Sequence, residues 1–183
     1  MSDEQIDLKN EILIVTALSS CLDILGLATE FQFSKGTNYL FESLFIRLRH
    51  LAYYFIGETS PLIQYKDMFN EQELAIMDKL VDIRIASAHP EANQHWLNEH
   101  IMISGGMNFK DGDVEIQYGS NKLFLIRDIL FIYKRMRDVF ARAPELPHLA
   151  KHPVWELKTQ EFIDIRQKLT DLLKKPEKLL KVM

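Results

Sequence analysis

Apolar positions along the chain recur mostly at helical spacing. Ile6, Leu8, Ile12, Leu13, Val15, Leu18, Leu22 and Leu25 predict a first helix over residues 4–30. Gly26 weakens its far end, and FQFSKG breaks the pattern as a connection. A second helix is expected over 38–56, apolar around most of its circumference and so central among the helices. Arg47, Arg49 and His50 interrupt that apolar surface, and Gly57 followed by Ser60-Pro61 stops the helix.

The third helix has the best-marked start. Asn70 can cap it, Glu73 completes a capping box, and Phe69 with Leu74 can staple the entry. The helix then runs through LAIMDKLVDIRIASAH and must end at or before His89, because Pro90 disfavours the helical conformation there. Beyond it the period changes. Met107 and Phe109 alternate before Asp111-Gly112, and Val114, Ile116 and Tyr118 alternate after it, which predicts a two-stranded hairpin at about 100–119.

A fourth helix is predicted from near Ser120 to about 142, then a proline-punctuated linker over 143–154, a last helix at about 155–175 and a basic tail over 176–183. The expected fold is mainly α: an up-and-down bundle of four or five helices with an inserted hairpin, forming a single domain over 1–183.

Composition narrows the setting. Hydrophobic residues are 47% and charged residues 26%, an ordinary globular balance that excludes disorder. The single cysteine, Cys21, rules out an internal disulfide, fits a reducing, cytoplasmic compartment, and reads as a small core residue among leucines. The acidic start MSDEQIDLKNE is unlike a secretory leader, and no uninterrupted apolar run reaches the roughly 20 residues of a membrane span, so no membrane partner is expected. With a net charge of −4, any contact with nucleic acid must come from a local basic patch.

Candidate chemistry centres on the third helix. With Leu74 at zero on a helical wheel, the apolar positions span an arc from about 180° to about 20°, and Arg84 falls near its middle at about 280°. A buried arginine must pair with a carboxylate, lift its head into water past an apolar stem, or hold an anion. His89 lies five residues later, where the break at Pro90 lets it turn back toward Arg84. A histidine moves protons near neutral pH and an arginine stabilises charge on phosphate oxygens.

Arg84-Ile85-Ala86-Ser87-Ala88-His89, followed by Pro90 at the end of a well-capped helix, resembles the R-x4–6-H motif of the HEPN superfamily. The resemblance covers the helix at 70–89 and the general helical plan, with the hairpin as an insertion. It implies a helical bundle that pairs as a homodimer so that two motifs meet in one cleft. It also implies RNA as substrate, an antitoxin or other protein as partner, and metal-independent endoribonuclease activity through Arg84 and His89 in toxin–antitoxin or antiviral defence. Catalytic members usually carry a polar residue after the arginine, where this chain has Ile85. Some carry a tyrosine two residues beyond the histidine, where it has Glu91. The alternative is therefore a non-catalytic HEPN-like dimeric module that binds nucleic acid, nucleotide or a protein partner.

The remaining candidates are simpler. Lys134, Arg135, Arg137 and Arg142 make part of the fourth helix basic, either as a solvated face or as contacts to an RNA backbone. His89, Glu91, His95, Glu99 and His100 match no established zinc spacing, so neither a metal nor any other cofactor is expected. The second and fourth helices carry Phe41, Leu44, Phe45 and Tyr54, and Phe124, Ile129, Phe131 and Tyr133. That is enough apolar surface to suggest that a second copy covers part of it.

Overall fold

The computed structural model describes residues 8–30, 37–60, 62–88, 106–118, 121–150 and 154–174. Side chains at 37–39, 83–88, 106–109, 118, 147, 150 and 154–157 are outside the description. Helix α1 spans Leu8–Glu30, α2 Thr37–Ile56 and α3 Glu71–Ala88, with a 3-10 turn at Ile63–Met68 between the last two. Strands β1 (Gly106–Lys110), β2 (Asp113–Tyr118) and β3 (Asn121–Phe124) form one antiparallel sheet in that order. A π-helical segment, Leu125–Leu130, leads into α4 (Phe131–Phe140), a short α5 (Pro147–Ala150) and a long α6 (Val154–Leu173). The chain is thus mainly helical with an inserted hairpin, as its apolar periodicity predicts.

Helix α1 packs on both α2 and α6, and α2 packs in turn on α3. The buried face of α1 repeats every three or four residues through Ile14, Ala17, Leu18, Cys21, Leu22, Leu25 and Ala28. Leu8, Ile12 and Leu13, counted with that face from spacing alone, are exposed, while Glu11 is buried. By length and composition α1 is also apolar enough to cross a membrane. Its charges are few and spaced, so its average hydropathy is high enough although it holds no uninterrupted apolar run of that length.

Helix α2 is central as expected, with Leu44, Leu48, Leu51, Ala52 and Phe55 fully buried. Phe55 joins three elements, its ring centroid 4.9 Å from Phe69 and 4.6 Å from Phe140. Tyr133 stacks on Phe162 of α6 at 5.8 Å and donates a 3.1 Å hydrogen bond to the Leu18 carbonyl, tying α4 to α6 and α1. The apolar residues expected to need a second copy are mostly covered within one chain. Phe41, Leu44, Phe45, Ile129 and Tyr133 are buried, and Phe131 is exposed.

The hairpin turns at Asp111 (φ 54°) and Gly112 (φ 75°), both in the left-handed region that a two-residue primed turn requires. Lys110 pairs with Asp113 and Met107 with Ile116. Two expectations need correction. The sheet gains a third strand, in which Ile116 pairs with Leu123 and Glu115 with Phe124, and helix therefore begins at Leu125 rather than near Ser120. The linker at 143–154 also contains the helical turn α5.

Asp113 explains why helix begins where it does. Its carboxylate accepts from the amides of Ile126 at 2.9 Å and Arg127 at 3.0 Å, two donors that the first helical turn leaves open. Asp128 reaches back to the Phe124 amide at 2.8 Å. A side chain from β2 thus caps a helix that starts after β3, and the sheet and the helix fix each other's position.

Candidate functional site

The predicted capping box of α3 is present on both sides. The Glu73 amide donates to Asn70 Oδ1 and the Asn70 amide to Glu73 Oε2, each at 2.9 Å. Phe69 is buried and Leu74 half-buried against the same core. Along α3, Glu73, Ile76, Met77 and Leu80 are buried, while Asp78 and Asp82 are exposed. The apolar arc read from the wheel is therefore the packed face over the described part of the helix. Glu73, Met77, Leu80 and Arg84 follow one another at four, three and four residues, so Arg84 continues this stripe in helical register. The Arg84 side chain and all of His89 lie outside the described residues, as do Glu91, His95, Glu99 and His100.

The same stripe holds an ion pair that its own helix does not reveal. Glu73 is a buried carboxylate, and its cation is Arg135 of α4, whose Nε donates to Glu73 Oε1 at 2.7 Å. A further Arg135 nitrogen donates to the Met68 carbonyl at 2.8 Å, and the guanidinium lies 5.8 Å from the centre of the Phe69 ring. Arg135 therefore clamps the α3 start. Its two neighbours on α4 are also engaged. Lys134 pairs with Asp138 one turn on, and Arg137 is buried between Asp138, at 3.4 Å, and the Phe162 ring, at 5.4 Å. Arg142 alone of the four is exposed and without a carboxylate partner among the described residues. The four cations do not form one open basic face.

A cavity with a volume of about 560 Å³ lies between α1, α2 and the loop after α2. From α2 come Arg47, Arg49, His50 and Tyr53, facing Leu13 and Thr16 of α1, with Thr59 closing one end. No Asp or Glu is among the described residues that line it. Arg49 sits 6.0 Å from the Tyr53 ring centre, the Tyr53 and Thr59 hydroxyls are 3.4 Å apart, and Tyr54 donates to Asn10 Oδ1 at 3.3 Å. Gly57 makes this arrangement possible. A Cβ there would come within 2.7 Å of the Tyr53 carbonyl oxygen and 2.8 Å of its ring. The sequence signal was the interruption of an apolar helix by Arg47, Arg49 and His50, but their shared cavity needs α1 and the loop as walls.

Cys21, by contrast, has no open role. It is fully buried, and burial pushes its thiol well above the ordinary range despite the opposing charge of Arg47. Tyr65 of the 3-10 turn donates to Glu145 in the connection between α4 and α5. Burial, then that hydrogen bond and the carboxylate's charge, raise the phenol to about 12. No family model, curated protein or solved structure matches the chain.

Proposed function

We propose that the chain is a HEPN-like protein acting on RNA, with Arg84 and His89 as a metal-independent phosphodiester-cleaving pair. The observation that supports this most is the end of α3. The helix continues to Ala88, so Arg84 stands one turn before its last residue, and His89 is the next residue in the chain. A capped and clamped helix is a rigid mount, which a positioned acid–base pair needs. In the reaction, a ribose 2′-hydroxyl attacks the adjacent phosphorus and the bond to the 5′-oxygen breaks. His89 takes the hydroxyl proton or supplies one to the leaving oxygen, and Arg84 holds the non-bridging oxygens. The products are a 2′,3′-cyclic phosphate and a free 5′-hydroxyl.

The same reading has two copies of the chain bringing their motifs together, with an antitoxin or another protein as a further partner. The exposed apolar residues Leu8 and Ile12 of α1, which stand outside the cavity beside α2, are now better candidates for the pairing surface than the buried positions of α2 and α4. Sedimentation equilibrium should give a dimer at micromolar concentration, and a monomer would remove this part of the proposal.

The second reading, a non-catalytic module, is favoured by the engagement of Lys134, Arg135 and Arg137 with protein carboxylates, which leaves little open cationic surface on α4. Purified protein incubated with RNA in EDTA separates the two. Cleavage to a 2′,3′-cyclic phosphate that falls about 100-fold in His89→Ala supports the nuclease. Absence of cleavage, or cleavage abolished by EDTA and untouched by His89→Ala, leaves the binding module.

A further inference from the structure

The cavity between α1 and α2 is lined by no described residue of α3. We propose that it is a binding site for a small phosphomonoester with an apolar body. Three observations point to this ligand class. The first is charge. The protein carries a net −4, yet this cavity collects Arg47, Arg49 and His50 within about one helical turn, with no acid among its described lining. Arg47 is exposed and has no carboxylate partner among the described residues. Arg47, with Arg49 and His50 beside it, suits a phosphate head, because a guanidinium offers paired donors to phosphate oxygens.

The second observation is the apolar wall. Leu13 is 50% exposed and Tyr53 45% exposed, and both line the cavity. Large apolar side chains left open beside cations fit a ligand with a charged head and an apolar or planar body. The third is preorganisation. Tyr53 is held against Gly57, where a side chain would collide with its ring, and its hydroxyl lies beside Thr59. An aromatic wall fixed before binding loses little freedom when a ligand stacks on it. The volume of about 560 Å³ suits a body of nucleoside size and is more than a bare phosphate fills.

Isothermal titration of the 183-residue chain with inorganic phosphate, hexyl phosphate and adenosine 5′-monophosphate tests the site. Both organic esters should bind at least about tenfold tighter than inorganic phosphate, and the tighter of the two identifies the body as planar or alkyl. Arg47→Ala should weaken both esters by about tenfold, Arg47→Lys by less, and Tyr53→Ala should weaken the esters while leaving inorganic phosphate unchanged. Arg142→Ala, in the turn after α4 and not among the described lining of the cavity, should change nothing. Urea midpoints of the variants show whether each still folds. No heat or saturation from any of the three anions at millimolar concentration overturns the proposal. So does binding that survives Arg47→Ala and Tyr53→Ala in folded protein. Neither result bears on His89-dependent cleavage, which is read on RNA.

Discussion

Truncating Arg135 to alanine removes the cation from a carboxylate that does two jobs. Glu73 Oε2 accepts from the Asn70 amide at 2.9 Å in the capping box, while Oε1 accepts from Arg135 Nε at 2.7 Å. The Glu73 side chain is 4% exposed, so water cannot take the place of the guanidinium. Removing one partner of a fully buried ion pair costs about 3–5 kcal/mol. Arg135 itself is 33% exposed, which weakens the Coulombic part, although truncation also loses the hydrogen bond to the Met68 carbonyl. The expected loss is therefore about 2–3 kcal/mol, or about 4–12 °C in Tm for a domain of this size. Urea unfolding followed by far-ultraviolet circular dichroism gives the value directly. Arg135→Lys should fall between wild type and alanine, because one ammonium cannot satisfy both acceptors in the same geometry. Glu73→Gln keeps the cap but removes the charge, so a double-mutant cycle with Arg135→Ala should show coupling of at least about 1 kcal/mol. A change below about 0.5 kcal/mol for Arg135→Ala, or an additive cycle, refutes the clamp. If polyanion affinity fell while stability stayed, Arg135 would be a phosphate contact after all.

Gly57→Ala should destabilise the fold by about 1–3 kcal/mol in thermal melts, since the new Cβ meets both the backbone and the ring of Tyr53. Asp113→Ala should cost about 1–2 kcal/mol and speed hydrogen exchange at the amides of Ile126 and Arg127, with Asp113→Asn milder because its carbonyl still accepts. Burial alone would raise the Glu145 carboxyl, but hydrogen bonds from Tyr65, its own backbone and Gln64 hold it below the usual range. A folded pKa below the unfolded one gives stability that is complete above the unfolded value, near pH ~4.3, and is lost as pH falls through the folded value. Glu145→Gln should therefore flatten the acid limb of urea midpoints taken from about pH 6 down to about pH 3, and an unchanged limb would contradict the assignment.

The parts legible in the sequence share one property: their cause lies within a few residues of their effect. The α3 start is written in Asn70 and Glu73, three residues apart, and both hydrogen bonds form. The hairpin turn is written in Asp111-Gly112, which takes positive φ at both positions. Strand β3 was missed because Leu123 and Leu125 belong to two patterns at once. They alternate as a strand would, and they also continue the helical spacing toward Ile129 and Ile132. All four are fully buried, so burial alone could not choose between the two readings. What decides is pairing with β2 and the carboxylate of Asp113, two elements a local pattern does not contain.

The same reasoning explains why the candidate sites were only partly legible. Arg84 could be singled out because it interrupts an apolar arc on its own helix, and the buried neighbours Met77 and Leu80 give that arc its expected place in the core. Arg135 could not be assigned in the same way, because it sits 62 positions from the carboxylate it serves. Read on α4 alone it belongs to a basic face with Lys134, Arg137 and Arg142; read in space it is part of the α3 start. A cation on a helix is open to a ligand only after the carboxylates of every neighbouring helix have been accounted for. That criterion removes Lys134, Arg135 and Arg137 from the list of open contacts on α4. It leaves Arg142 beyond the end of α4, and on α2 it leaves Arg47, which faces a cavity without a described acid and so is placed to hold an anion.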